Sequence, residues 1–184
     1  MNQKFEIEYK TLISDTNAAN LLSLGIFEFL NKQTNVYFDT EDNYFHSNKV
    51  VLRLREKKEI TLFTAKQSTN DGLLETEFEL IDDKSIENTK IAEFLSQFRN
   101  KKPLHEIGST ITYRYTYKDE FGEWCLDFNV FDYTSDVELE YELNKGETDR
   151  MNHFKDQLKK WGVPFDPCSS KYIRMLEQKD KNQP

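Results

Sequence analysis

Apolar and polar side chains alternate with a period of two through most of this chain, and the runs predict eight β-strands. These are Lys4–Thr11, Thr34–Thr40, Val50–Glu56, Glu59–Gln67, Leu73–Leu80, Thr110–Lys118, Glu123–Val130 and Val137–Leu143. Four segments change to a helical period: Asp15–Leu24, Ser85–Arg99, Thr148–Trp161 and Ser169–Gln178. In the second, Ile86, Ile91, Phe94, Leu95 and Phe98 form an apolar stripe; the third ends at Gly162 with Pro164 beyond it. The last follows Pro167, with Ser169 or Ser170 as its N-cap and Lys171 in its first turn, where a cation opposes the helix dipole. The pattern predicts an α+β fold dominated by antiparallel strands, with no repeat and no Gly/Pro-rich break to divide residues 1–184.

The polar faces of the strands carry the chemistry. Glu6, Glu8 and Lys10 oppose Phe5, Ile7 and Tyr9; Arg53 and Arg55 oppose Leu52 and Leu54; Lys66 opposes Ala65. Glu75, Glu77 and Glu79 share one face, as do Glu138, Glu140 and Glu142, while Arg114 and Asp127 stand on the polar sides of theirs. An ordinary sheet with one wet face accounts for such alternation. Against that reading, glutamates two residues apart on one face repel unless cations are supplied, and the cations come in separate clusters of guanidinium and ammonium groups suited to phosphate. The polar faces hold six cations (Lys10, Arg53, Arg55, Lys66, Arg114, Lys171) against nine carboxylates, a balance of −3 that one or two divalent ions would move to −1 or +1. Oxygen-rich carboxylate ligands beside several cations are what a metal–polyphosphate complex needs.

Composition narrows the classes. With 25 Lys and Arg against 33 Asp and Glu, the net charge of −8 argues against a generic nucleic-acid binder. The aromatic share of 14% is too high for a disordered chain. No window approaches the roughly 18 apolar residues of a membrane span, and the opening Met1-Asn2-Gln3-Lys4-Phe5-Glu6 lacks the apolar stretch of a signal peptide, so a cytoplasmic protein with no membrane association is expected. Cys125 and Cys168 make no disulfide framework or zinc site, and Cys125 reads as core filling. His46, His105 and His153 are scattered singly.

Glu6-Ile7-Glu8-Tyr9-Lys10 resembles the E-x-E-x-K signature of the CYTH superfamily, the triphosphate tunnel metalloenzymes. That group includes class IV adenylate cyclases, thiamine triphosphatases and inorganic triphosphatases. The other motifs follow in the family's order: Tyr37-Phe38-Asp39-Thr40, Leu52-Arg53-Leu54-Arg55, Thr64-Ala65-Lys66, Glu75-Thr76-Glu77, Arg114, Leu126-Asp127, Glu138-Leu139-Glu140 and Ser170-Lys171-Tyr172.

The resemblance implies an eight-stranded antiparallel β-barrel, a triphosphate tunnel with a polar interior and helices packed outside. It implies Mg²⁺ or Mn²⁺ on Glu6, Glu8, Glu138 and Glu140, with Asp127 and Glu75 or Glu77 in support. Lys10, Arg53, Arg55, Lys66, Arg114 and Lys171 would hold the triphosphate, and Glu75, Glu77 and Lys66 would serve catalysis, a glutamate orienting the attacking water. The activity implied is hydrolysis of inorganic, thiamine or nucleoside triphosphate. Cyclisation of ATP and polyphosphate binding without turnover stand as alternatives, and homodimerisation is left open. Glu79 and Glu142, farther along their strands, are expected at a solvated rim. Asn129–Asp136 lacks the glycine common before the last acidic strand of the family. Phe131, Tyr133 and Asp136 there either select the leaving group or form a plain loop. Arg174 either reaches the phosphates or pairs with an outer carboxylate.

Overall fold

The computed structural model describes residues 1–69 and 72–182. Nine strands and five helices follow in the order β1 (Asn2–Glu6), β2 (Glu8–Ile13), α1 (Asp15–Ser23), β3 (Glu28–Thr40), α2 (Tyr44–Ser47), β4 (Val50–Lys57), β5 (Ile60–Thr69), β6 (Gly72–Leu80), α3 (Thr89–Leu95), β7 (Leu104–Lys118), β8 (Gly122–Val130), β9 (Ser135–Leu143), α4 (Met151–Lys160) and α5 (Lys171–Asn182). No helix among the described residues is long and apolar enough to cross a membrane.

The chain forms two compact units. Residues 1–5 and 33–109 make the first; residues 6–32 and those described from Thr110 onward make the second. β3 and β7 are long enough to contribute to both.

In the first unit β4 pairs antiparallel with β3 and β5, and β5 with β6. The apolar faces of these strands present Phe38, Leu52, Leu54, Phe63 and Ala65 to Phe45 of α2 and Ile91 of α3. Burial of that apolar face, worth roughly 25 cal/mol per Å² removed from water, is what makes the short helices dock. Asp39 explains α2, which the sequence did not disclose. Its buried carboxylate accepts from the backbone N–H groups of Thr40, Phe45 and His46, satisfying the donors at the helix start that have no partner within the helix.

In the second unit β8 pairs antiparallel with β7 and β9, and β9 with β2. Trp124, Leu126, Val137, Leu139 and Tyr141 pack against Ala18 and Leu21 of α1 and Phe154 and Leu158 of α4. Gly162, at φ +68°, ends α4 as the sequence predicts. Its N–H donates to Lys159 O at 3.1 Å and that of Val163 to Leu158 O at 2.9 Å, the paired bonds of a Schellman turn.

The count of nine strands instead of eight has a local cause. The run read as one strand over Lys4–Thr11 breaks at Ile7, so Glu6 closes β1 and Glu8 opens β2. β3 and β7 begin six residues earlier than their clear alternation does. The helix read over Ser85–Arg99 contracts to α3, capped by Asn88, whose side chain accepts from Lys90 N.

Two side features hold the second unit together. A Cβ on Gly122 would lie 2.4 Å from Glu142 O and 2.8 Å from the Tyr141 ring. Gly122→Ala is therefore expected to cost about 1–3 kcal/mol, read as a lowered urea midpoint with unchanged m-value. Asp119 accepts from Tyr141 Oη (2.6 Å), Trp124 Nε1 (3.0 Å) and the backbone N–H groups of Phe121 (2.9 Å) and Gly122 (3.0 Å), and meets His153 Nε2 at 2.9 Å. Burial pushes its carboxyl up, but these bonds to Tyr141, Trp124 and His153 override it and lower the value from 3.8 to about 2. A depressed carboxylate contributes stability above its unfolded value and loses it as pH falls through its folded value. Asp119→Asn should thus lower the melting temperature at pH 7 and flatten its decline between about pH 4 and pH 2; an unchanged acid limb would contradict this assignment.

Candidate active site

Parts of the polar faces are not wet. Asp127 and Glu138 are 0% exposed, Glu140 5%, Arg114 9% and, in the first unit, Arg53 8% and Glu75 4%. Charges so far from solvent are kept only when paired or when a ligand is to be bound.

In the second unit the register builds the cluster. β9 presents Asp136, Glu138, Glu140 and Glu142 on one face at the two-residue period; Glu138 stands opposite Asp127 of β8, Glu140 opposite Lys10 of β2, and Glu142 opposite Glu8. Arg114 of β7, the partner of Asp127 in register, makes a forked pair with it (2.7 and 2.6 Å) and continues to Glu140 (2.7 Å) and Glu142 (3.3 Å). Lys10 Nζ lies 2.8 Å from Glu8 and 3.4 Å from Glu140. Lys171, the first residue of α5, reaches Asp127 (2.8 Å), Glu140 (3.0 Å) and Glu138. Ser170 caps that helix, its hydroxyl accepting from Ile173 N at 3.4 Å.

The mutual fields set the protonation of the cluster. Burial pushes the Glu140 carboxyl up, but Lys171, Lys10 and Arg114 hold it well below the usual carboxylate range. Asp127 is likewise lowered against its burial, by Arg114 and Lys171. Glu138 is pushed up to about 7 by burial, with the Glu140 charge adding to the effect and Lys171 and Arg174 opposing it. The Lys10, Arg114 and Lys171 cations are all held more firmly protonated than usual by the carboxylates around them, despite burial.

Two sets of carboxylates place one oxygen each within 4.8 Å of the others: Glu8 with Glu140 and Glu142, and Asp127 with Glu138 and Glu140. All-oxygen donor sets of this kind fit a hard divalent ion such as Mg²⁺ or Mn²⁺. Counting Asp136 and Arg174, six carboxylates meet four cations here, a surplus of two negative charges and so one divalent ion's worth.

The first unit gathers the remaining candidates. Lys66 Nζ pairs with Glu75 at 2.9 Å, its register partner, and Thr64 donates to Glu77 at 3.5 Å. Arg55 Nε donates to the buried Asn35 Oδ1 at 2.8 Å. Arg53 stands between Tyr37 and Thr64 in register, and its buried Nε has no hydrogen-bond partner among the described residues.

Several sequence expectations change. Glu6 is half-buried at the end of β1 and belongs to neither carboxylate set. Glu142, expected at a solvated rim, joins Glu8 and Glu140. Glu79 is exposed, in keeping with its expected place. Cys125 is buried, but on the polar face, opposite Glu140 in register. Arg174 pairs with Asp136 and Glu138. Asn35 had no motif to mark it; the signal was the alternation of Asn31, Gln33 and Asn35, amides that a strand carries inward only when that face is polar.

The comparisons agree with this chemistry. The CYTH domain family model matches residues 4–160, and the chain belongs to that family. It is 28% identical to YjbK of Bacillus subtilis (strain 168), provisionally named a triphosphatase, over 99% of this chain and 100% of that one. A Bacillus halodurans structure, provisionally named an adenylate cyclase, superposes with a TM-score of 0.78 at 29% identity, covering 95% of this chain and 98% of the other. HpAC1 from Hippeastrum, provisionally named an adenylyl cyclase and described as having a dominant triphosphatase activity, shares the fold with a TM-score of 0.77 at 21% identity, over 94% and 96% of the two chains. Family and fold together support a triphosphate-related activity.

Proposed function

We propose that this CYTH protein hydrolyses a triphosphate substrate with Mg²⁺ or Mn²⁺. The observation that carries the reading is Arg53: a buried guanidinium with an unpartnered N–H, on a strand whose neighbouring Arg55 is already oriented by an amide. A buried donor left open in this way costs about 1–3 kcal/mol, which a bound anion repays. Phosphoryl transfer needs little covalent help, so positioned charge supplies most of the rate.

Glu8, Glu140 and Glu142, with Asp127 and Glu138 adjoining, are the residues that would hold the ion. Bound there, it supplies Lewis-acid neutralisation of phosphate charge. Arg53 and Arg55 bind phosphate oxygens; in the second unit Lys10, Arg114 and Lys171 balance the carboxylates, and Lys10 and Arg114 each keep one N–H for a phosphate oxygen. Lys66 is a further phosphate ligand, and Glu75 or Glu77 orients the attacking water.

The test is a panel of inorganic triphosphate, thiamine triphosphate, ATP and GTP, each with Mg²⁺ and with Mn²⁺. Phosphate release from at least one pair, abolished in Glu8→Gln, is the expected result. Tight metal-dependent binding without release would replace the reading by a binding module. Cyclic AMP and pyrophosphate from ATP would replace it by a cyclase, the second reading, which the name of the Bacillus halodurans relative favours.

A further inference from the structure

We propose that Arg174 is a positioning residue: its forked pair with Asp136 and its bond to Glu138 dock α5 so that Lys171 is delivered to the buried carboxylates. A lysine at the first position of a helix opposes the helix dipole, so local structure gives no reason for Lys171 to point where it does. Its pairs with Asp127, Glu138 and Glu140 hold the tip of the side chain, and the placing of the helix that carries it comes from farther along. Lys171 and Arg174 are three residues apart and therefore share a face. Both face β9, and they divide Glu138 between them, Lys171 on Oε1 and Arg174 on Oε2 at 2.7 Å.

Every edge of the Arg174 guanidinium is used. Nε donates to Asp136 Oδ2 at 2.7 Å, Nη2 to Asp136 Oδ1 at 3.2 Å, and Nη1 to Ser169 O at 2.5 Å, while the group lies 5.9 Å from the Phe131 ring centroid. Asp136 is itself fixed. Asn129 Nδ2 donates to it at 3.0 Å, and Thr112 Oγ1 donates to Asn129 Oδ1 at 2.8 Å. A polar relay thus crosses β7, β8 and β9 and ends on α5. Tyr172 and Met175 bury apolar surface on the same helix, but such contact has no direction, whereas a forked guanidinium–carboxylate pair sets both rotation and height. Both oxygens of Asp136 take part in this relay.

The kinetic consequence rests on the triphosphatase reading; the docking does not, and the experiment separates the two. Lysines of the wild type and of Arg174→Gln, Asp136→Asn and Arg174→Lys are acetylated with acetic anhydride, without metal or substrate. Lys171 is followed by peptide mass spectrometry against the exposed Lys101 and Lys102 as internal standards. In Arg174→Gln and Asp136→Asn, Lys171 should label at least tenfold faster than in the wild type. Arg174→Lys should not restore protection, because a point charge cannot fork. Steady-state assays with Mg²⁺ and a triphosphate should show KM raised about tenfold or more in the same variants with kcat less affected, a split that mere loss of folded protein would not give. Asp136→Asn keeps the Arg174–Glu138 contact and so tests the proposal even if Arg174→Gln fails to fold. Wild-type labelling of Lys171 in both Arg174→Gln and Asp136→Asn overturns it, as does full protection in Arg174→Lys. Faster labelling in a protein whose wild type turns over no triphosphate leaves the docking role standing and removes the triphosphatase reading.

Discussion

Glu140→Gln is expected to lower triphosphate turnover by about 10²–10³-fold, the scale seen when a single preorganised electrostatic group is removed from an active site. Glu140 belongs to both carboxylate sets and is contacted by three cations: Lys10 at 3.4 Å, Lys171 at 3.0 Å and Arg114 at 2.7 Å. The amide keeps the shape but removes the charge. Affinity for Mn²⁺, measured by calorimetry on the free protein, should fall with the turnover. Three cations left around one fewer anion should also cost about 3 kcal/mol or more of stability, so Glu8→Gln, at a half-buried position, serves as the milder control. Retention of both Mn²⁺ binding and turnover in Glu140→Gln would remove β9 from the site.

Arg53→Met should do something that few active-site substitutions do: stabilise the fold while destroying activity. Arg53 is 8% exposed and its buried Nε bonds nothing among the described residues, so the folded protein carries the cost of that one unsatisfied N–H. A thioether of similar length avoids that cost. A gain of about 1 kcal/mol is expected, or roughly 2–4 °C in melting temperature for a chain of this size. Turnover should fall by about 10²–10³-fold. Tripolyphosphate added to the wild type should raise its melting temperature, and the variant should lose most of that shift. A variant that is both less stable and equally responsive to tripolyphosphate would mean that Arg53 is structural.

What could be read in the sequence follows physical locality. Alternation located the interiors of β4, β5, β6, β8 and β9, because each has one apolar and one polar face with nothing interrupting the period. It failed at Ile7, where the chain changes partners without changing its pattern, and at the early residues of β3 and β7. The charged motifs gave the residue types of the site, but proximity is a property of register. Nothing local distinguishes Glu142, which stands opposite Glu8, from Glu79, which stands in solvent. Asp39, Asp119 and Asp136 look alike in sequence, yet they feed a helix start, an aromatic cluster and an arginine fork respectively.

The family match ends at residue 160, whereas α5 begins at Lys171. A chain cut at that boundary would keep every carboxylate of the second unit's cluster and lose two of its four cations. Its surplus would rise from two negative charges to four, on strands β2, β8 and β9 that α5 no longer covers. Recombinant domains designed from the matched segment alone should therefore be acid-loving, metal-hungry and poorly folded near neutrality.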